Sequence, residues 1–439
     1  MEARPLPDQR IAYLNARLLD PAAGRDETGH LLIVGGEIAA IGPDIFPRGA
    51  PDRTEIVDLG GLCLAPGLID MHATVGEPGL EHKESFESAA AAARAGGITT
   101  LCTMPNTEPV IDNVALVEYV LRRANEGSDV HIRPFAAATQ GLAGQQLTEF
   151  GLLKAAGAVA FSDGVCAIAD ATVMRRALSY GTAFGALIVQ HCEEPSLARN
   201  GVMNEGELAM RLGLSGIPAE AETIMLERDL RLVELTGGRY HAAHLTTRQS
   251  LAAMRRAKAG GIAVTCGTAP LYFALNENEV AAYRTFAKVS PPLRSEDDRK
   301  AVVEAIRDGT IDVISSGHTP EDPEAKRQPF EQAAFGAVGL ETMLALGLQL
   351  HMNENVPLLT VLACMTCNPA RLLGLDCGVM DVGRPADLVV FDPEAPWIVD
   401  AKKFRSKSKN SPFDERPLQG HAVRTVVEGR TVFVRRVER

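Results

Sequence analysis

A chain of 439 residues, 46% of them hydrophobic, is long enough for one large α/β domain beside a smaller one, with a sizeable core. Its formal net charge of −12 argues against nucleic acid or an anionic membrane surface as a general partner. The opening MEARPLPDQR lacks the charged-then-apolar pattern of a secretory leader, no apolar run approaches the roughly 18 residues a membrane span needs, and eight scattered cysteines fit reduced thiols in a cytoplasm better than a disulfide framework.

The first 65 residues read as β. AYLNARLLD and HLLIVGGEIAAIGPD are short apolar runs broken by Gly-Gly or Gly-Pro turns. From about residue 66 to residue 370 the pattern alternates, each short apolar strand leading into an Ala-rich helical stretch. GITTLCTMPN is followed by NVALVEYVLRRANEG, AVAFSD by ATVMRRALSYGTAFG, and ALIVQHCEE by AETIMLERDLRLVELTGG. YHAAHLTT precedes RQSLAAMRRAKAGG, then comes IAVTCGTAP, and IDVISSGHTP precedes FGAVGLETMLALGLQLHM. Repeated βα units of this size predict a parallel sheet, and room for about eight of them predicts a closed (β/α)8 TIM-type barrel. The C-terminal part returns to β with ADLVVFDPEAPWIVD and AVRTVVEGRTVFVRR, the second a hairpin around Glu428-Gly429. The expected organisation is a small β-sandwich built from both chain ends, residues 1–65 and 371–439, flanking a barrel over 66–370.

In such a barrel, function collects at the C-terminal ends of the strands. Those ends carry His72, Asn106, Asp163, His191, His244 and His318, each from a different βα unit. A lone histidine after a strand is usually structural, but ten histidines placed at random would rarely put four at predicted strand ends. The spacing therefore points to a past or present metal centre. Cys364 and Cys367 are a lone CxxC, read as two helix-packed thiols rather than a zinc ribbon. The basic run KKFRSKSKN, residues 402–410, reads as a solvated loop, and GVMNEGELAMRLGL as a loop and short helix over the barrel mouth.

APGLIDMHATVGEPGLEHKE resembles the first barrel strand of the amidohydrolase superfamily, and in detail that of dihydroorotases. GGITTLCTMPNTEPVIDN resembles the substrate loop of that family, and LGLSGIPAEAE, KVSPPLR, DGTIDVISSGHTP, CNPARLLGL and SKSKNSPF resemble its later motifs, in order. The resemblance implies zinc chemistry, in which a metal-bound hydroxide opens the dihydroorotate ring or, in reverse, carbamoyl aspartate closes. It places metal ligands at His72, Asp163, His191 and His244 and substrate contacts at Asn106 and His318.

The chain departs from the pattern selectively. The first strand should carry His-x-His, two ligands pointing the same way, and here it carries His72 and Thr74. A neutral hydroxyl is a poor zinc ligand. The Arg that grips the substrate carboxylate is replaced by Gly76, and the catalytic Asp of the last strand by Gly317. Loss of a general base alone lowers rate by about 10²–10⁴. Pro-His-His becomes Pro270-Leu271-Tyr272, and the Asn before Pro-Pro-Leu-Arg becomes Ser290. These changes predict a catalytically impaired homologue with no assigned catalytic residue and one zinc ion at most, acting by resemblance as a structural partner of aspartate transcarbamoylase and expected to be a homo-oligomer. Two other expectations stand beside it. One is a working hydrolase with a mononuclear site and His318 or Glu193 as substitute base. The other is a barrel that binds a ligand in the old pocket without chemistry.

Overall fold

The computed structural model describes residues 9–435. Strands from both ends of the chain share one eight-stranded sheet. Its order runs Arg430–Val434, Pro417–Val427, Leu388–Ile398, Cys63–Pro66, Arg10–Asp20, Arg25–Val34 and Glu37–Gly42, with Glu55–Asp58 also pairing with Arg10–Asp20. Glu428 and Gly429 take positive φ (46° and 74°), the geometry that lets a two-residue turn follow the twist of its strands. Residues alternate between two cores along these strands, as a period of two requires. Leu18, Leu64, Leu388 and Val390 fill the sheet's own interior, whereas Leu19, Cys63, Ala65, Val389 and Phe391 join the barrel core.

The barrel strands are parallel and buried. Leu68–Ala73, Ile98–Thr103 and His131–Pro134 form one arc, and Leu187–Gln190, Arg239–Ala242, Val264–Thr268 and Val313–Ile314 form the other. The eighth staves the gap as little more than Phe161, bridged to Ala136 on one side and Ile188 on the other. Closure comes from the Ala73–His318 bridge and the Thr74 N–H donated to the His318 carbonyl at 2.8 Å. Helices such as Val114–Gly127, Ala171–Thr182, Ala219–Thr236 and Arg248–Ala259 follow their strands. Several start on a side-chain cap: Asn113 and Thr247 each accept the N–H three residues on.

Cys364 and Cys367 lie apart on backbone carbonyls, with Cys364 Sγ on Ile311 and Cys367 Sγ on Ala363. The run 402–410 corrects the reading of a solvated loop. Lys402, Lys403, Arg405 and Lys407 face outward, but Phe404, Ser406, Ser408 and Asn410 are buried in alternation. Asn410 binds the carbonyls of Thr319 (3.2 Å) and Gly336 (3.1 Å), and Ser408 Oγ that of Lys83 (2.8 Å), so the run is a strap across the barrel mouth. No helix among the described residues is long and apolar enough to cross a membrane.

Candidate functional site

The C-terminal ends of the barrel strands open onto a cavity of about 730 Å³. His72, Asn106, His191 and His244 line it, as do Thr74, Gly76, Glu193 and Gly317. Buried carboxylates set these positions. Asp70 accepts the N–H groups of His72 (3.1 Å) and Ser316 (3.0 Å), stitching the first strand to the last beside the site. Glu222 accepts the N–H groups of Thr246 (3.0 Å) and Thr247 (3.1 Å), fixing the turn that follows His244.

The His72 and His244 rings meet edge to face, with centroids 4.4 Å apart. His244 Nε2 lies 3.0 Å from Ser315 Oγ, and His191 Nε2 lies 3.2 Å from Ser290 Oγ and 3.8 Å from Glu193 Oε1. Burial, reinforced by the charge of His191, drives His72 down to about 4, and burial drives His244 well below the usual imidazole range. Burial alone would raise Glu193, but the His191 ring and the Arg294 charge outweigh it and hold the carboxylate ionised. The site therefore presents the neutral imidazoles of His72 and His244 near the charged Glu193 carboxylate at neutral pH.

Asp163 and His318 do not line this cavity. Asp163 is 1% exposed and accepts the Thr139 N–H at 2.8 Å and the Thr139 hydroxyl at 2.5 Å. His318 is fully buried, with Nδ1 accepting the Gly339 N–H at 3.3 Å and Nε2 3.4 Å from Glu84 Oε2. It sits behind the cavity wall formed in part by its neighbours Gly317 and Thr319. His82 is exposed and lies 3.8 Å from Asp322.

A catalytic zinc takes three protein ligands and an open position. The carboxylate of the expected set, Asp163, has both oxygens on Thr139, and Thr74 supplies no imidazole. Among the described residues no three His, Cys, Asp or Glu side chains assemble into a metal cage. The residues present do not fit the zinc centre that the resemblance implies.

One of the altered positions is filled by backbone, and a second is crowded by a neighbouring side chain. A Cβ at Gly76 would overlap the Leu80 carbonyl and lie 2.8 Å from Leu80 C and 3.0 Å from the Glu84 carbonyl oxygen, because Leu80 N–H closes a turn onto Gly76 O at 2.6 Å. Gly317 has φ +63°, and a Cβ there would meet the Ala269 Cβ at 3.0 Å. Neither the guanidinium nor the carboxylate returns without the backbone moving.

Sequence reading overlooked the groups that organise the wall. Glu84, fully buried, takes the Ser406 and Ser88 hydroxyls and the Lys407 N–H at 3.2 Å, while Lys288, 2% exposed, lines the cavity. Both are charged residues whose burial only tertiary packing reveals. The strap did carry a signal, the period-two alternation of Ser406, Ser408 and Asn410 with basic residues.

A family profile described as "Dihydro-orotase-like" matches residues 61–250, and one described as "Amidohydrolase family" matches residues 333–433. A protein named "Dihydroorotase" from Geobacter metallireducens is 45% identical over 420 residues, 95% of this chain and 98% of the relative. Another of that name from Anaplasma phagocytophilum is 43% identical over 426 residues, 96% of this chain and 95% of the relative. Among solved structures, an L-hydantoinase (dihydropyrimidinase) from Arthrobacter aurescens superposes with a TM-score of 0.87 at 26% identity, covering 97% of this chain and 96% of that one.

Proposed function

The chain belongs to the dihydroorotase family of amidohydrolases, and from that premise we propose that it is a member with impaired ring chemistry, serving de novo pyrimidine biosynthesis as a structural partner of aspartate transcarbamoylase. The observation that carries this reading is the backbone closure at Gly76 together with Gly317. Carbamoyl aspartate has two carboxylates, and the guanidinium that would hold one has been replaced by the Leu80 carbonyl. No side chain at 317 accepts a proton from the closing ring. Two independent parts of the reaction are thus lost while the barrel stays fully packed, which is what a chain retained for its surface would keep. The homo-oligomeric state and a cytoplasmic location belong to the same proposal, the latter supported by eight cysteines without disulfide partners.

A second reading is favoured by the relatives' name: an active cyclic amidohydrolase that closes carbamoyl aspartate to dihydroorotate on a reduced site. The deciding experiment is cyclisation of carbamoyl aspartate by the purified chain with zinc supplied, followed by co-elution with aspartate transcarbamoylase. No turnover and a stable co-eluting complex are expected. Turnover at ordinary enzyme rates overturns the scaffold reading, and failure to co-elute removes the partner.

A further inference from the structure

One side of the cavity is built by a loop, residues 321–336, of which Glu321, Glu331, Phe335 and Gly336 line it. The two ends of the loop are pinned together by Asn410, which holds the Thr319 and Gly336 carbonyls. Between those ends it is clasped to the segment 285–288 by two lysines, Lys326 and Lys288, each only 2% exposed. Lys326 Nζ donates to the carbonyls of Ala334 (2.7 Å), Thr285 (3.0 Å) and Lys288 (3.3 Å). Lys288 Nζ reaches the other way, to the carbonyls of Phe330 and Glu331, each at 2.9 Å, and lies 4.6 Å from the centre of the Phe335 ring. The Thr285 hydroxyl donates to the Lys326 carbonyl at 2.7 Å, and the Gly336 N–H to the Lys288 carbonyl at 3.0 Å.

Buried charges are ordinarily neutralised by a group of opposite sign. Among the described residues these two ammonium groups bond to carbonyls only. The charged groups that face Lys326 are Glu321, held 2.8 Å from Lys83, and the like charge of Lys288, while Glu331 faces Lys288. On the loop itself Asp322 accepts the Ala325 N–H, and Glu324 pairs with Arg327.

We propose that residues 321–336 form a pH-sensitive gate on the cavity, clasped by the Lys326 and Lys288 side chains and loosened when they take up protons. Burial drives Lys326 down to about 7, opposed by the Glu321 carboxylate and aided by the Lys288 charge, and burial lowers Lys288 as well. An open loop returns both amines to water and to the ordinary lysine value. The open loop therefore binds protons that the closed loop releases, so closure is firmest at alkaline pH, weakens as pH falls towards 7 and levels off below it. The inference goes beyond the scaffold reading and does not rest on it, because it concerns neither turnover nor a partner.

The test is amide hydrogen exchange in the full-length protein at pH 6, 7 and 8, corrected for the intrinsic exchange rate, comparing residues 326–336 with the buried strand Leu187–Gln190. The loop is expected to exchange ahead of the strand. With Lys326 titrating at about 7 when closed and at 10.5 when open, the opening constant should rise about fivefold from pH 8 to pH 7 and under about twofold from pH 7 to pH 6. Lys326→Met, which takes up no proton, should flatten the rise between pH 8 and pH 7 whatever it does to absolute protection. One common exchange rate for loop and strand overturns the proposal, as does a loop whose opening fails to rise from pH 8 to pH 7. An unchanged pH profile in folded Lys326→Met overturns it too. The wild-type profile decides the matter if the variant fails to fold.

Discussion

Substitution of Gly76 tests directly whether the clamp position has closed. Glycine to alanine ordinarily stabilises by about 0.4–1 kcal/mol where the backbone suits it, because the unfolded chain loses freedom. At Gly76 the sign should reverse. The φ there is not in the left-handed region, so the penalty is steric: the new Cβ overlaps the Leu80 carbonyl and crowds the Glu84 carbonyl at 3.0 Å. Relief requires the 76–80 turn to open, which breaks the 2.6 Å bond from Leu80 N–H to Gly76 O, worth about 1 kcal/mol. Overpacking adds about 1–3 kcal/mol, for a total of about 2–4 kcal/mol. Because the conflict is at Cβ, Gly76→Ala should incur nearly all of it and Gly76→Arg only slightly more. Urea unfolding of wild type and both variants at pH 7 measures this. A neutral or stabilising Gly76→Ala refutes the reasoning. A stable Gly76→Arg that gains dihydroorotate binding would show that the clamp is one reversible substitution away.

Three further outcomes are expected. Asn410→Ala removes the side chain that holds Thr319 O, Gly336 O and the Glu321 N–H, so the protein should lose about 2–3 kcal/mol and limited proteolysis should cut first within 402–410. Glu84→Gln should cost about 2–3 kcal/mol at neutral pH. Burial pushes Glu84 up, but His318 and the Ser406 and Ser88 hydroxyls outweigh it and hold it low, so the stabilisation is complete above the usual carboxylate range and the gap to wild type closes as pH falls below that range, through the lowered value of the folded state, in acid melts. Glu341, pushed up to about 7 by burial, has the opposite sign. The fold gains stability as pH drops from about 8 to 5 and this carboxyl protonates in the folded state only, so Glu341→Gln should compare best with wild type at pH 8 and worst at pH 5 in thermal melts.

The barrel was legible because its rule is local. Apolar strands such as ITTLCT and LIVQ are buried along their whole length, and helices such as Val114–Gly127 and Arg248–Ala259 start on side-chain caps. His131–Pro134 was missed because only Ile132 and Pro134 are buried, leaving no hydrophobic run to find. AVAFSD reads as a full strand, yet the barrel accepts it through Phe161 alone, a shortfall that depends on neighbours and not on its own composition. Site residues were legible as positions at strand ends but not as directions. Asp163 and His318 stand in the expected places, and each is turned to a scaffold partner, Thr139 and Glu84, that no spacing in the chain announces.

That turning supports the proposed loss of chemistry. A reacting centre keeps charged groups unpaired and aimed at one point, which stability disfavours. Here Asp163 has two donors, His318 faces a buried carboxylate, and His191 and His244 each rest on a serine hydroxyl. Each such pairing satisfies a buried polar group that would otherwise be costly. The side-chain stitches of Asp70 on Ser316 and of Glu222 on Thr246 and Thr247 do not involve positions 74, 76 and 317, and the one barrel-closing bond at Thr74 is made by its backbone N–H. Stability and chemistry are thus held by different residues, and substitutions at the second set leave the first intact. Return is another matter. A side chain at Gly317 must take φ +63° against Ala269, and one at Gly76 must displace the Leu80 carbonyl. A single reversion therefore destabilises without completing either the carboxylate clamp or the proton acceptor, and the two depend on different backbone segments.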